Sequence, residues 1–98
     1  MGFFDSVFGS NYRENFFEKN PSADGFYKCK MCGKNLKKGS NDLTIDHIMP
    51  QKYGGTNSVL NLQVLCRSCN SKKGKKINTM TLKYSGDALI REIKNTFS

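Results

Sequence analysis

Two C-x-x-C pairs, "CKMC" at Cys29 and Cys32 and "CRSC" at Cys66 and Cys69, are the clearest chemical signal in this 98-residue chain. Two such pairs separated by a long insert have the spacing by which two knuckle turns grip one tetrahedral zinc ion. Four thiolates close the coordination sphere, so this metal is expected to act as a staple with no open position for a substrate. A disulfide or a redox C-x-x-C accounts for one pair but not for two, each followed by the residue a knuckle turn favours, Gly33 or Asn70. Between the pairs runs "LTIDHIMPQKYGG", Leu43 to Gly55, which holds the chain's one histidine, His47, directly after Asp46. A lone histidine in a strand is usually structural, yet imidazole is also the side chain whose proton ordinarily comes and goes near neutral pH.

These residues need elements to position them. In "LTIDHIM", Leu43, Ile45 and His47 alternate with Thr44, Asp46 and Ile48, which is strand periodicity and sends Asp46 and His47 to opposite faces. Pro50 lacks a backbone donor and restricts Met49, so the strand should end there. "QKYGGTNSVLN" reads as a loop with Gly54 and Gly55 as turn residues, and "LQVLC" as a second short strand returning to the second cysteine pair. "GKNLKKGSND" reads as a polar turn before the first strand, and "RSCNSKKGKK" as a short basic helix ending near Gly74. At the start, Phe4, Phe8, Tyr12 and Phe16 recur every four residues beside Phe3, Val7 and Phe17, predicting an aromatic-faced helical segment over 1–20, broken near Gly9-Ser10 and ended before Pro21. At the end, "SGDALIREIKNTF" predicts a closing helix within 82–97, with Ser85 or Asp87 to cap it and Ala88, Leu89, Ile90, Ile93 and Phe97 against the core. The expectation is one α+β domain over 1–98, with strand, loop, strand and helix at 26–76 flanked by helices.

The totals bound what such a domain can do. A chain of 98 residues that is 37% hydrophobic has a thin core. A structural zinc supplies on the order of 10 kcal/mol of apparent folding free energy, comparable with the whole stability of a small domain. The net charge is +8, but Lys28 to Lys83 carries twelve Lys or Arg against two acids, so this segment is +10 and the remainder −2. Such a concentration favours a polyanion, nucleic acid before an anionic membrane, although a run such as "KKGKK" taken alone is as readily a solvated surface. No basic n-region with a long apolar h-region opens the sequence, so a reducing cytoplasm is the expected setting. "MGFFDS" fits the loose myristoylation pattern, which is short enough to arise by chance.

Taken together, "CKMC…IDHIMPQKYGG…NLQVLCRSCNSKKG" resembles the HNH endonucleases of the ββα-metal fold over roughly Phe26 to Lys76. The resemblance maps the family's motif histidine to His47, its central asparagine to Asn61 and its third position, often histidine, to Asn70, an H-N-N variant. It implies that His47 is the general base for an attacking water and that Asn61 ties the loop to the first strand and so fixes the imidazole. It implies Asp46 and Asn70 as ligands of a catalytic metal. Carboxylate and amide oxygens are hard donors, so that metal is expected to be Mg2+ or Mn2+. Lys72, Lys73, Lys75 and Lys76 would hold the phosphate backbone without reading bases. The expected activity is phosphodiester hydrolysis of DNA, one strand per active site, with a homodimer, two separate nicks or a targeting partner needed for more. The competing reading is a zinc-knuckle nucleic-acid-binding module with no hydrolytic activity.

Overall fold

A computed structural model describes residues 11–98, so the expected helical turns around Phe3, Phe4, Val7 and Phe8, and the "MGFFDS" pattern, lie outside the described residues. Helix α1 spans Tyr12–Lys19 and is followed by strand β1, Phe26–Lys28. It ends before Pro21, as the sequence requires, where Asn20 caps it by donating its side-chain amide to the Phe16 carbonyl at 3.0 Å. Phe16 and Phe17 are buried, and Tyr12 packs against the same cluster. The Tyr27 hydroxyl donates to the Asn20 carbonyl at 2.7 Å and fastens the end of α1 to β1.

The segment after the first cysteine pair departs from expectation. "GKNLKKGSND" is not only a turn: Asn35–Lys37 forms strand β2, antiparallel to β1, with Tyr27 opposite Leu36. Leu36 is 2% exposed, and burying this one leucine between two polar neighbours is what a three-residue strand needs to side with the core. The cysteine knuckle is thus the turn of a hairpin.

Strand β3, Leu43–His47, pairs antiparallel with β4, Leu62–Cys66, so that Thr44 faces Leu65, Asp46 faces Gln63 and His47 faces Leu62. All five residues of β4 are buried, since it carries helix α2, Arg67–Met80, on one side and β1 on the other. Helix α2 does not stop near Gly74. It runs through that glycine to Met80 because Cys69, Lys73, Ile77 and Met80 form one buried stripe at helical spacing, and the burial of Ile77 and Met80 outweighs the modest cost of an interior glycine.

Helix α3, Gly86–Phe97, closes the chain. Ser85 stands at its N-cap, without a side-chain capping hydrogen bond, and Asp87 lies in its first turn. It packs on the far end of α2 rather than on the main core: Leu89 and Ile93 join Ile77 and Met80 in a second apolar cluster, with Met49, Tyr53 and Phe97 beside it, while Ala88 and Ile90 stay exposed. Among the described residues, no helix is long and apolar enough to cross a membrane.

The β3–β4 connection folds back on itself through short 3-10 turns at Gln51–Tyr53 and Val59–Asn61. Gly54 has φ of +95°, a conformation that disfavours other residues, and it ends the first of these turns. Gly55 has a different reason: a Cβ there would stand 1.7 Å from the Met49 carbonyl oxygen and 3.0 Å from Nδ2 of Asn61. Gly55→Ala should therefore force the loop open and cost about 1–3 kcal/mol or more in urea unfolding with zinc held constant. Gly74→Ala, with no atom within 4 Å of the new carbon and a helical backbone, should instead be neutral or stabilising by up to ~1 kcal/mol.

Candidate active site and zinc cluster

The two cysteine pairs meet. Their four sulfurs all lie within 4.8 Å of one another, with Cys29, Cys66 and Cys69 buried and Cys32 exposed. The Cys32 and Cys66 sulfurs are 3.8 Å apart, far beyond a disulfide bond of about 2 Å. Zinc–sulfur bonds of about 2.3 Å directed to the corners of a tetrahedron set the sulfurs about 3.8 Å apart. The knuckles repeat one another: Cys29 Sγ accepts from the Cys32 amide at 3.5 Å, and Cys66 Sγ accepts from the Cys69 amide at 3.4 Å. Cys66 thereby also caps the N-terminus of α2.

Electrostatics make the same point. Burial raises the Cys29 thiol, but backbone amides, led by that of Cys32, outweigh it and bring it down to about 6. At Cys69, burial and then the neighbouring cysteine sulfurs push the thiol up to about 12. Four crowded sulfurs cannot all ionise on their own, and a dication is what allows it. The cluster fits a four-cysteine zinc site. Asp42 braces it from outside, with its carboxylate accepting from Lys34 Nζ at 2.6 Å and from the Arg67 amide at 3.1 Å. These bonds hold the Asp42 carboxyl below its usual range.

The second site is a cleft of about 310 Å³ at the end of β3, where Asp46, His47 and Gln51 meet Asn70 and Lys73 of α2. Asp46 and His47 do leave the strand on opposite sides, as their alternation predicts. Asp46 turns to α2, and the His47 ring lies against Tyr12 of α1 with ring centroids 4.7 Å apart. The cleft wraps the strand's end and so collects both.

Each polar side chain here is oriented by a neighbour. Gln63, directly across the ladder, donates to Asp46 Oδ2 at 2.9 Å, and Lys73 Nζ reaches the same oxygen at 2.6 Å. Oδ1 of Asp46 takes no hydrogen bond among the described residues. The Thr44 hydroxyl donates to the Leu65 carbonyl at 2.7 Å, so its oxygen is free to accept the Asn70 amide at 3.2 Å. That fixes which end of the Asn70 side chain is nitrogen and leaves its Oδ1 as an acceptor. Asp46 and Asn70 thus each retain one hard oxygen, a donor set that fits a magnesium-like cation keeping several waters.

Asn61 does not touch the imidazole. Its Oδ1 accepts from the Met49 amide at 2.8 Å, and its Nδ2 donates to the Met49 and Thr56 carbonyls at 3.0 and 2.9 Å, drawing the loop back onto the end of β3. The partner of His47 is Asn57, whose Oδ1 lies 2.7 Å from Nε2. Nothing in the spacing of the sequence singled out Asn57 or Gln63, and Tyr12 read as a core aromatic.

Lys73 departs most from expectation. Lys72, Lys75 and Lys76 are exposed, but Lys73 is 2% exposed and cannot join them as a surface phosphate contact. Its ammonium spends three hydrogen bonds inside the protein, on Asp46 Oδ2 and on the His47 and Ile48 carbonyls at 2.6 and 2.9 Å, and Phe97 of α3 covers it at 5.3 Å. The signal was present in the sequence: within "CNSKKGKK", Lys73 is the lysine four residues from both Cys69 and Ile77.

Residues 29–76 match the family model described as HNH endonuclease. Over that span, 48 of the 98 residues, the chain is similar to the HNH endonucleases. The HNH segment holds the whole four-cysteine cluster together with β3, β4 and the part of α2 that bears Asn70 and Lys73. It is a nuclease-type segment, and the described residues as a whole form a small α+β fold with two antiparallel two-stranded sheets. No curated protein and no solved structure matches the chain.

Stripping the zinc with a chelator, or replacing Cys66 by Ser, should abolish the cooperative thermal transition, because metal binding and folding are one equilibrium in a domain this small. Metal content and circular dichroism on the same samples check this. Lys73→Ala should cost about 3–5 kcal/mol in urea unfolding, since it leaves the Asp46 carboxylate half-enclosed without its cation. Lys72→Ala, at an exposed position next to it, should change stability by no more than about 0.5 kcal/mol.

Proposed function

We propose that the protein is a metal-dependent HNH endonuclease that hydrolyses phosphodiester bonds of DNA, one strand per active site. The observation that carries this reading is the convergence of Asp46, His47 and Asn70 on one cleft, with an acceptor oxygen left over on both Asp46 and Asn70. Phosphodiester hydrolysis needs an activated water and positive charge on the phosphate and the leaving oxygen. Asp46 and Asn70 would hold Mg2+ or Mn2+, which supplies that charge as a Lewis acid when bound.

His47 takes the proton of the attacking water as its oxygen bonds to phosphorus. The phosphorus–O3′ bond then breaks, the leaving oxygen picks up a proton from solvent, and the products carry a 5′-phosphate and a 3′-hydroxyl. Lys73 holds the Asp46 carboxylate still, and Asn61 keeps the loop closed over the end of β3. Lys72, Lys75 and Lys76 stand exposed along α2 and would hold the backbone of the strand through charge alone, which favours salt-sensitive binding with little base selectivity. A double-strand break then requires two chains, or two successive nicks.

Nicking of supercoiled plasmid at low salt tests the reading, with zinc-loaded wild type and His47→Ala each assayed with Mg2+, with Mn2+ and with no added divalent ion. Wild type should nick only with the added metal, and His47→Ala should lose about 100-fold or more while keeping its melting temperature and plasmid affinity. Equal binding by both proteins with nicking by neither would leave a zinc-stapled nucleic-acid-binding module and end the enzymatic reading.

A further inference from the structure

We propose that Asn57 is the positioning residue of His47: it takes the proton-bearing nitrogen of the ring and so leaves Nδ1 as the nitrogen that accepts the water's proton. The catalytic half of this statement rests on the nuclease reading above, whereas the tautomer it assigns can be measured without any cleavage. Two donors converge on one oxygen. Gln51 Nε2 lies 3.1 Å from Asn57 Oδ1, and His47 Nε2 lies 2.7 Å from the same atom. An amide oxygen has two lone pairs and no proton, so a nitrogen bonded to it must be the donor. The ring proton therefore sits on Nε2, and Nδ1 carries the lone pair. No described residue hydrogen-bonds Nδ1.

Three further contacts make this an oriented base. The Tyr12 ring packs beside the imidazole, centroids 4.7 Å apart and planes tilted by 60°, and crowds the ring flip that would carry Nε2 away from Asn57. Asn57 is itself held on both sides: the Thr56 carbonyl accepts from Asn61 Nδ2 at 2.9 Å, and the Ser58 amide donates to Thr56 Oγ1 at 3.3 Å. Asn61, which the sequence pattern marks as the organiser of the imidazole, thus acts on His47 at one remove, by holding the loop that presents Asn57. An imidazole without a fixed partner divides its proton between the two nitrogens and turns about its ring bond, and a base that is wrong part of the time is slow without binding substrate less well.

The test uses the fact that His47 is the chain's one histidine, so the ring nitrogens give a single set of resonances. Long-range proton–nitrogen correlation spectra of zinc-loaded wild type, Asn57→Ala and Asn57→Asp are recorded above the ordinary histidine range, alongside plasmid nicking by each. Wild type should show one protonated nitrogen, at Nε2, and one bare nitrogen, at Nδ1. Asn57→Asp keeps an acceptor oxygen and should keep that pattern, while Asn57→Ala should drift toward averaged nitrogens. The nicking kcat of Asn57→Ala should fall by about 10- to 100-fold with KM nearly unchanged, the scale seen when a group that orients a reacting one is removed. A wild-type proton on Nδ1, or an unchanged spectrum and kcat in a folded Asn57→Ala, would overturn the assignment. Absence of nicking by wild type with the expected spectrum would sink the nuclease reading and leave the tautomer standing.

Discussion

Four sulfurs within 4.8 Å of one another are the constraint on which the other elements hang. Two of them sit in the turn of the β1–β2 hairpin and two at the junction where β4 becomes α2, so one tetrahedral ion held by all four would tie the hairpin to the start of the helix. The tie matters because a helix turns by about 100° per residue, and whatever fixes its first residue fixes the direction of every later one. With Cys66 capping α2 and Cys69 buried in the sulfur cluster, Asn70 and Lys73 are set facing β3, where each makes a hydrogen bond. In a chain of 98 residues whose described part buries two small apolar clusters, burial alone does not supply that registration.

Lys73 is the second joint, and it is electrostatic. A buried ammonium is tolerated only when every proton finds an acceptor, and here a carboxylate oxygen and two successive backbone carbonyls at the end of β3 take all three. The same contacts hold the Asp46 carboxylate in one orientation, with one oxygen used and one left. Helix α3 contributes by laying Phe97 over the ammonium, so the closing helix shields the joint as well as extending the apolar core. Stability and the candidate chemistry share these residues, and a change at Lys73 acts on both.

Around that joint the cleft is a set of amides and hydroxyls whose donors and acceptors are already assigned. Thr44 orients Asn70, Gln63 and Lys73 orient Asp46, and Asn57, which also accepts from Gln51, orients His47. On the proposed reading, each relay leaves the outermost group with the atom a hydrolytic site would need: an oxygen for a hard cation, or a ring nitrogen with a lone pair. Groups oriented in advance need not reorganise when charge develops, which is how small sites with few residues become effective.

The sequence by itself determined the two knuckles, the β3–β4 pair and the family likeness, because those depend on spacing along the chain: C-x-x-C, strict alternation in "LTIDH", and a proline after it. It also implied that Asp46, His47 and Asn70 belong together, and they do line one cleft. Spacing could not reach what depends on partners from other elements. Lys73 looks like its neighbours in "KKGKK" until a carboxylate and two carbonyls stand in front of it. Leu36 looks like part of a polar turn until β1 pairs with it, and Gly74 looks like a stop until Ile77 and Met80 find an apolar surface to bury on. Asn57, ten residues from His47 in a loop of unremarkable composition, becomes its partner only because Asn61 and Gly55 fold that loop back on Met49. Local pattern decides what an element is, and the three-dimensional meeting of donors with acceptors decides what its polar residues do.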